Sequence, residues 1–209
     1  MKAFVVMGRV FKATYDELFL CIVMSLLWWA GILLVVTAGP ATMGLNHVAN
    51  RIANYRRVDM SFFWDGAKRN IGRGWLILAL ILVVVGGLLF NIWFYSNAQD
   101  WSRAMSFFWT WILLFFLMIA QYFFPLLWQQ EEPTFILALK NAFLLGLRHP
   151  LYSLLMLAFA FVLIVLSILL TVPVLLLMPA MVSLAANFGL AGLLQEMGMA
   201  PEPPPKPPK

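Results

Sequence analysis

Proton transfer, metal binding and nucleophilic catalysis need carboxylates, imidazoles, thiols or amines gathered in one place. Inside an apolar protein such groups are costly enough to mark function by default. This sequence keeps them apart. Neither of its two histidines, His47 and His149, has a carboxylate or cysteine at ligand spacing. His47 falls on the polar side of a helical pattern, and His149 reads as a helix-end residue before Pro150. Cys21 is the single cysteine and lies inside an apolar run, which excludes an intrachain disulfide and a multi-cysteine metal site. Asp16 and Glu17 stand at the mouth of that run, and Lys140 sits in a short amphipathic stretch. No Asp, Glu, Lys, Arg or His falls in the middle of a long apolar segment. There is no phosphate-cradling glycine loop, nucleophile elbow or zinc motif. The sequence therefore assigns no catalytic, cofactor-binding or metal-binding residue and reads as a protein that is not an enzyme.

Neutral polarity remains. Asn91, Gln121 and Asn187 lie within apolar runs, where amides either line a polar pathway or join helices by hydrogen bonds worth ~0.6–2 kcal/mol each. The structural role fits these three better. Gln121 precedes Pro125 by four residues, and proline frees a backbone carbonyl that an amide can use. Gly86-Gly87 and Gly189-x-x-Gly192 read as places where helices approach closely.

The elements that hold these residues follow from composition. Hydrophobic residues make up 63% of the 209-residue chain and charged residues 11%, against about 45–50% and about 25% in soluble domains. Too little polar surface is available to solvate a fold of this size, so the outer surface must face lipid. A bilayer core about 30 Å thick takes roughly 20 helical residues. Runs at 18–38, 75–95, 105–128 and 151–172 meet that length, and a fifth, 174–195, follows a turn at Thr171-Val172-Pro173. The fold class is all-α: a polytopic transmembrane helical bundle of about five spans in a single domain, residues 1–200. A Pro-rich tail, 201–209, is too dense in proline to pack.

Two further segments read as interfacial amphipathic helices. In 41–57, Leu45, Val48, Ile52 and Tyr55 share one face, and Asn46, Asn50, Asn54 and Arg57 the other. A short piece with Phe62, Phe63 and Trp64 follows. In 134–148, started by Glu131-Glu132-Pro133, Phe135, Leu139, Phe143 and Leu147 oppose Thr134, Lys140, Asn141 and Arg148.

The net charge of +5 does not indicate nucleic acid, because the basic residues sit in the connections, where they orient a membrane protein and meet headgroups. Arg51, Arg56, Arg57, Lys68 and Arg69 form the densest group and are the candidate contacts for headgroups or an acidic partner. Positive-inside logic puts 39–74, 129–150 and the tail in the cytoplasm. Five spans then place the N-terminus outside, with Lys2, Arg9 and Lys12 on the unfavoured side. If the first apolar run is instead a re-entrant hairpin, the N-terminus lies inside.

The run Val35-Val36-Thr37-Ala38-Gly39-Pro40-Ala41-Thr42, followed by residues 46–55, Phe62-Phe63 and Lys68-x-Asn70, resembles the YesL family of small bacterial membrane proteins. The likeness is strongest over residues 18–80. It departs at Met43-Gly44 and at the Pro-rich tail. The resemblance implies a protein of the bacterial inner membrane, and no residue pattern in the chain calls for a cofactor. It also implies a non-enzymatic accessory or regulatory role beside a carbohydrate transporter of the ABC type, whose membrane subunit would be its partner. The competing reading is a small solute transporter or channel in its own right.

Overall fold

The computed structural model describes residues 2–69, 71–99, 101–130 and 134–200. The Pro-rich tail, the Glu131-Glu132-Pro133 helix start, Asn70 and Asp100 lie outside the described residues. Among those described every regular element is helical, so the all-helical bundle is shown. Four stretches are long and apolar enough to cross a membrane: Ile71–Ser96, Trp101–Gln129, Pro150–Leu170 and Met178–Glu196. A fifth candidate is a pair of helices bent by 91° at one residue, α1 (Lys2–Asp16) and α2 (Leu18–Leu33).

The first apolar run does not form one membrane-length helix over 18–38. α2 ends at Leu33, Val35 takes a positive φ of 55°, and α3 (Ala38–Ala53) begins straight after the bend. Gly39 and Pro40 sit inside the first turn of α3, where a missing backbone N–H leaves no helical bond unmade. α2 and α3 fold back on each other. A Cβ added at Gly31 would lie 2.5 Å from Ala41 Cβ, and Trp28 Nε1 donates to Thr42 Oγ1 at 3.0 Å. α2 and α3 are thus in contact on either side of the bend, as the two arms of a hairpin.

The chain then returns along α3 as α4 (Ser61–Arg69) and α5 (Ile71–Ser96). Glycines permit the contact. A Cβ at Gly44 would lie 2.5 Å from Phe63 O, one at Gly66 2.8 Å from His47 Cβ, and one at Gly39 2.7 Å from Trp75 N. Past that crossing α5 has α6 (Met105–Ala120) as its principal helical neighbour. Within its most apolar window only 6% of residues are buried.

α6 breaks at Gln121-Tyr122, and α7 (Phe123–Gln129) carries Pro125 in its first turn. α8 (Phe135–Arg148) packs over α6 and α7 by Ala138, Ala142, Leu145 and Gly146. Leu139, Phe143 and Leu147 point outward and so do Lys140 and Arg148, so the packed side is a third one, made mostly of small residues. Small side chains let the backbones close up, and bulky apolar ones cost nothing where lipid is the solvent. α9 (Pro150–Leu170) ends at Thr171, whose φ is 59°, so the expected turn is present. The fifth run is then divided into α10 (Val172–Leu176) and α11 (Met178–Glu196), with Pro179 in the first turn of α11 rather than at a mid-helix kink. α11 is the most enclosed of the membrane-length helices and touches α1, α3 and α9.

Candidate functional site: a buried amide ladder on α3

Helical spacing of four places Thr42, Asn46, Asn50 and Asn54 on one face of α3. That face was expected to meet water. It is instead buried along with the opposite one: thirteen of the sixteen residues of α3 are buried, which leaves no outer face for a helix laid flat at an interface. The reason lies in the partners. α11 and α7 bring amides and hydroxyls that satisfy the stripe, and a buried polar group is tolerated when it is hydrogen-bonded.

Each asparagine amide of the ladder has a defined use. Asn46 Nδ2 donates back to Thr42 O at 2.9 Å, so its Oδ1 faces α11 and accepts from Ser183 Oγ (3.1 Å) and Asn187 Nδ2 (3.2 Å). Asn187 also donates to Ser183 O at 2.9 Å. One turn lower, Asn50 Nδ2 and Asn54 Nδ2 both donate to Gln129 Oε1 of α7, at 3.3 and 3.2 Å. Asn54 Nδ2 further bonds Asn50 O at 2.8 Å. Asn54 Oδ1 and Asn187 Oδ1 are buried and accept no hydrogen bond among the described residues. No member of the ladder ionises, so it cannot pass a proton by titration. Its groups are those that recognise hydroxyls and amides.

Beside the ladder His47 stacks on Trp128, with ring centroids 4.1 Å apart and planes 13° from parallel. Its Nδ1 bonds the Phe62 carbonyl oxygen at 2.9 Å, which makes that nitrogen the protonated one. Burial holds His47 below the usual imidazole pKa; the Phe62 bond and Asp65 oppose that shift, while Arg51 and Arg69 add to it. Arg51 is occupied: its Nε donates to Arg57 O at 3.0 Å and its guanidinium lies 3.6 Å from the Phe62 ring centre. Arg56, Arg57, Lys68 and Arg69 are exposed.

The three intramembrane amides do not converge on one another by any bond among the described residues. Asn187 belongs to the ladder. Gln121 Nε2 donates to Met118 O and to Ser153 O of α9, both at 2.9 Å, beside Tyr122 OH bonding Ser153 Oγ at 2.9 Å. The carbonyl it caps is three residues back, not the one freed by Pro125. Asn91 bonds only within α5, donating to Gly87 O at 2.7 Å on an exposed surface. Gly189 and Gly192 do admit neighbours, since Cβ atoms there would meet Met156 Cε at 3.3 Å and Tyr152 OH at 2.8 Å; Gly86 and Gly87 face open space. Sequence reasoning found the asparagine stripe and gave it the wrong direction. It missed Gln129, a polar residue just past the end of an apolar run, and Ser183, a small hydroxyl inside one. Among the described residues no three of His, Cys, Asp and Glu gather as around a metal ion.

No family model, curated protein or solved structure matches this chain, so the YesL likeness stands on the residues quoted for it. The class is defined by the fold alone: this is a helical membrane protein with a polar seam sealed inside its bundle.

Proposed function

We propose that the chain is a non-enzymatic accessory or regulatory protein of the bacterial inner membrane. Its partner is the membrane subunit of a carbohydrate transporter of the ABC type. The observation that carries this reading is the outer face of α5. Asn91 takes the back-bonded conformation of Asn46 and Asn187, its nitrogen donating to the carbonyl four residues earlier. In Asn46 this conformation points the oxygen at a neighbouring helix. On α5 the surface is exposed, and Gly86 and Gly87 beside it have nothing within 4 Å of an added Cβ. A second helix seated there gains close backbone approach and an amide acceptor. The carbohydrate-transporter identity of that helix rests on the family resemblance alone.

The test is a photo-crosslinking aromatic residue at Phe94, exposed on the same helix, in cells and after mild-detergent purification. A discrete adduct with one transporter membrane subunit is expected, with none from the same residue at the exposed Phe161 of α9. Purification as a sole stable species, with no adduct from Phe94, contradicts the reading.

A second reading, a small solute transporter or channel using Asn91, Gln121 and Asn187, draws on one observation. The buried oxygens of Asn54 and Asn187 have acceptor capacity to spare, as a route for hydroxylated solutes requires. On that reading purified protein moves a sugar across liposomes and Gln121→Leu impairs the movement. Unchanged flux in the variant removes it.

A further inference from the structure

α7, α8 and α11 line a half-open cavity of about 460 Å³, within the range that holds a small ligand. Its position is informative. The lining includes Gln129 at the end of α7, Arg148 two residues before α9, and Met197 just past α11. Three membrane-length segments thus begin or end at one level there. Gln129 also receives the ladder bonds from Asn50 and Asn54, which puts the cavity at the end of the bundle where Arg56 and Arg57 emerge. The walls divide by chemistry. Leu126, Leu145 and Leu194 are buried and apolar, whereas Gln130, Asn141 and Arg148 supply donors. Gln130 is half used: its Oε1 accepts from Thr134 N at 3.3 Å, while its buried Nε2 meets no acceptor among the described residues.

We propose that this cavity binds an anionic phospholipid. The phosphate sits against Arg148, Gln130 and Asn141, and the upper acyl chain lies along Leu126, Leu145 and Leu194. A guanidinium with amide donors matches phosphate oxygens. An apolar wall at the level where helices end matches the first methylenes below a headgroup. A cationic pocket between transmembrane helices on the positive side of the membrane is where such lipids are held. The inference does not depend on the accessory role, because a lipid site serves either reading above.

Full-length protein in mild detergent, titrated with phosphatidylglycerol, phosphatidylcholine or inorganic phosphate and followed by native mass spectrometry, tests it. Phosphatidylglycerol is expected to bind about five- to tenfold more tightly than phosphatidylcholine, given the gain per basic residue at a membrane surface. Arg148→Gln reduces that preference to less than about twofold and Arg148→Lys retains most of it. Lys140→Gln, which alters an exposed cation of α8 outside the cavity lining, leaves it unchanged. Leu144→Trp fills the cavity from its exposed rim and lowers binding of both lipids, which gives a second handle should Arg148→Gln fail to fold. Equal binding of the two lipids overturns the proposal. So does an equal effect of Arg148→Gln and Lys140→Gln, or full competition by inorganic phosphate, which assigns the site to a free anion.

Discussion

Asn46 is the residue on which the polar seam turns. Its oxygen accepts from both Ser183 and Asn187 of α11, so Asn46→Leu strands two buried donors at once. We expect a loss of about 1–3 kcal/mol, read as a lowered thermal unfolding temperature in detergent. Asn91→Leu serves as the contrast, because its amide bonds only its own helix, and a change within about 0.5 kcal/mol is expected. Equal effects would mean that the seam does not join the helices. His47 gives a second expectation. With its pKa held down by burial, the folded protein refuses a proton that the unfolded chain accepts below about pH 6.5. The associated stability is full above that pH and is lost as pH falls through the lower, folded value. Unfolding measured between pH 7.5 and 5.5 should show the protein weakening with acid, and His47→Gln should flatten that slope. An unchanged slope would place the sensitive group elsewhere.

At the scale of elements the glycines separate contacts already made from those still open. Gly44→Ala drives a Cβ to 2.5 Å from the Phe63 carbonyl. A loss of about 1–3 kcal/mol follows if the α3–α4 contact is as tight as it stands. Gly87→Ala meets nothing within 4 Å, so the isolated protein should gain up to ~1 kcal/mol from helix propensity. Paired thermal melts of the two variants separate these outcomes, and a stabilising Gly44→Ala would deny the close approach. The sequence made the helical elements legible through the lengths of their apolar runs and the turn at Thr171. It did not reveal direction. The stripe Asn46, Asn50, Asn54 has the periodicity of a solvated face, and only the amides of α7 and α11, some 80 and 140 residues away, make it an internal one. Periodicity reports that two faces differ, not which one is covered. For α8 the pattern separated the bulky side of Leu139, Phe143 and Leu147 from the charged one, but both lie outward, and the packed side of Ala138, Ala142 and Gly146 carries no such signal.

For the whole molecule the α2–α3 hairpin bears on how the chain sits in the membrane. Five crossings would put Lys2, Arg9 and Lys12 outside, against the positive-inside tendency. A hairpin that enters and leaves by one end, followed by crossings at α5, α6–α7, α9 and α11, keeps those three residues inside. Arg56, Arg57, Lys140 and Arg148 then lie inside as well, and residues 97–99 and 101–104, together with Thr171, face out. Arg9 donating to Gln195 at 2.9 Å, at the close of α11, agrees with this arrangement. The most direct measurement is a pair of topology reporters fused at residues 10 and 60 of the full chain. The hairpin account predicts that both report the cytoplasmic side. Reporters on opposite sides would contradict it, and would make the first apolar run a crossing helix after all.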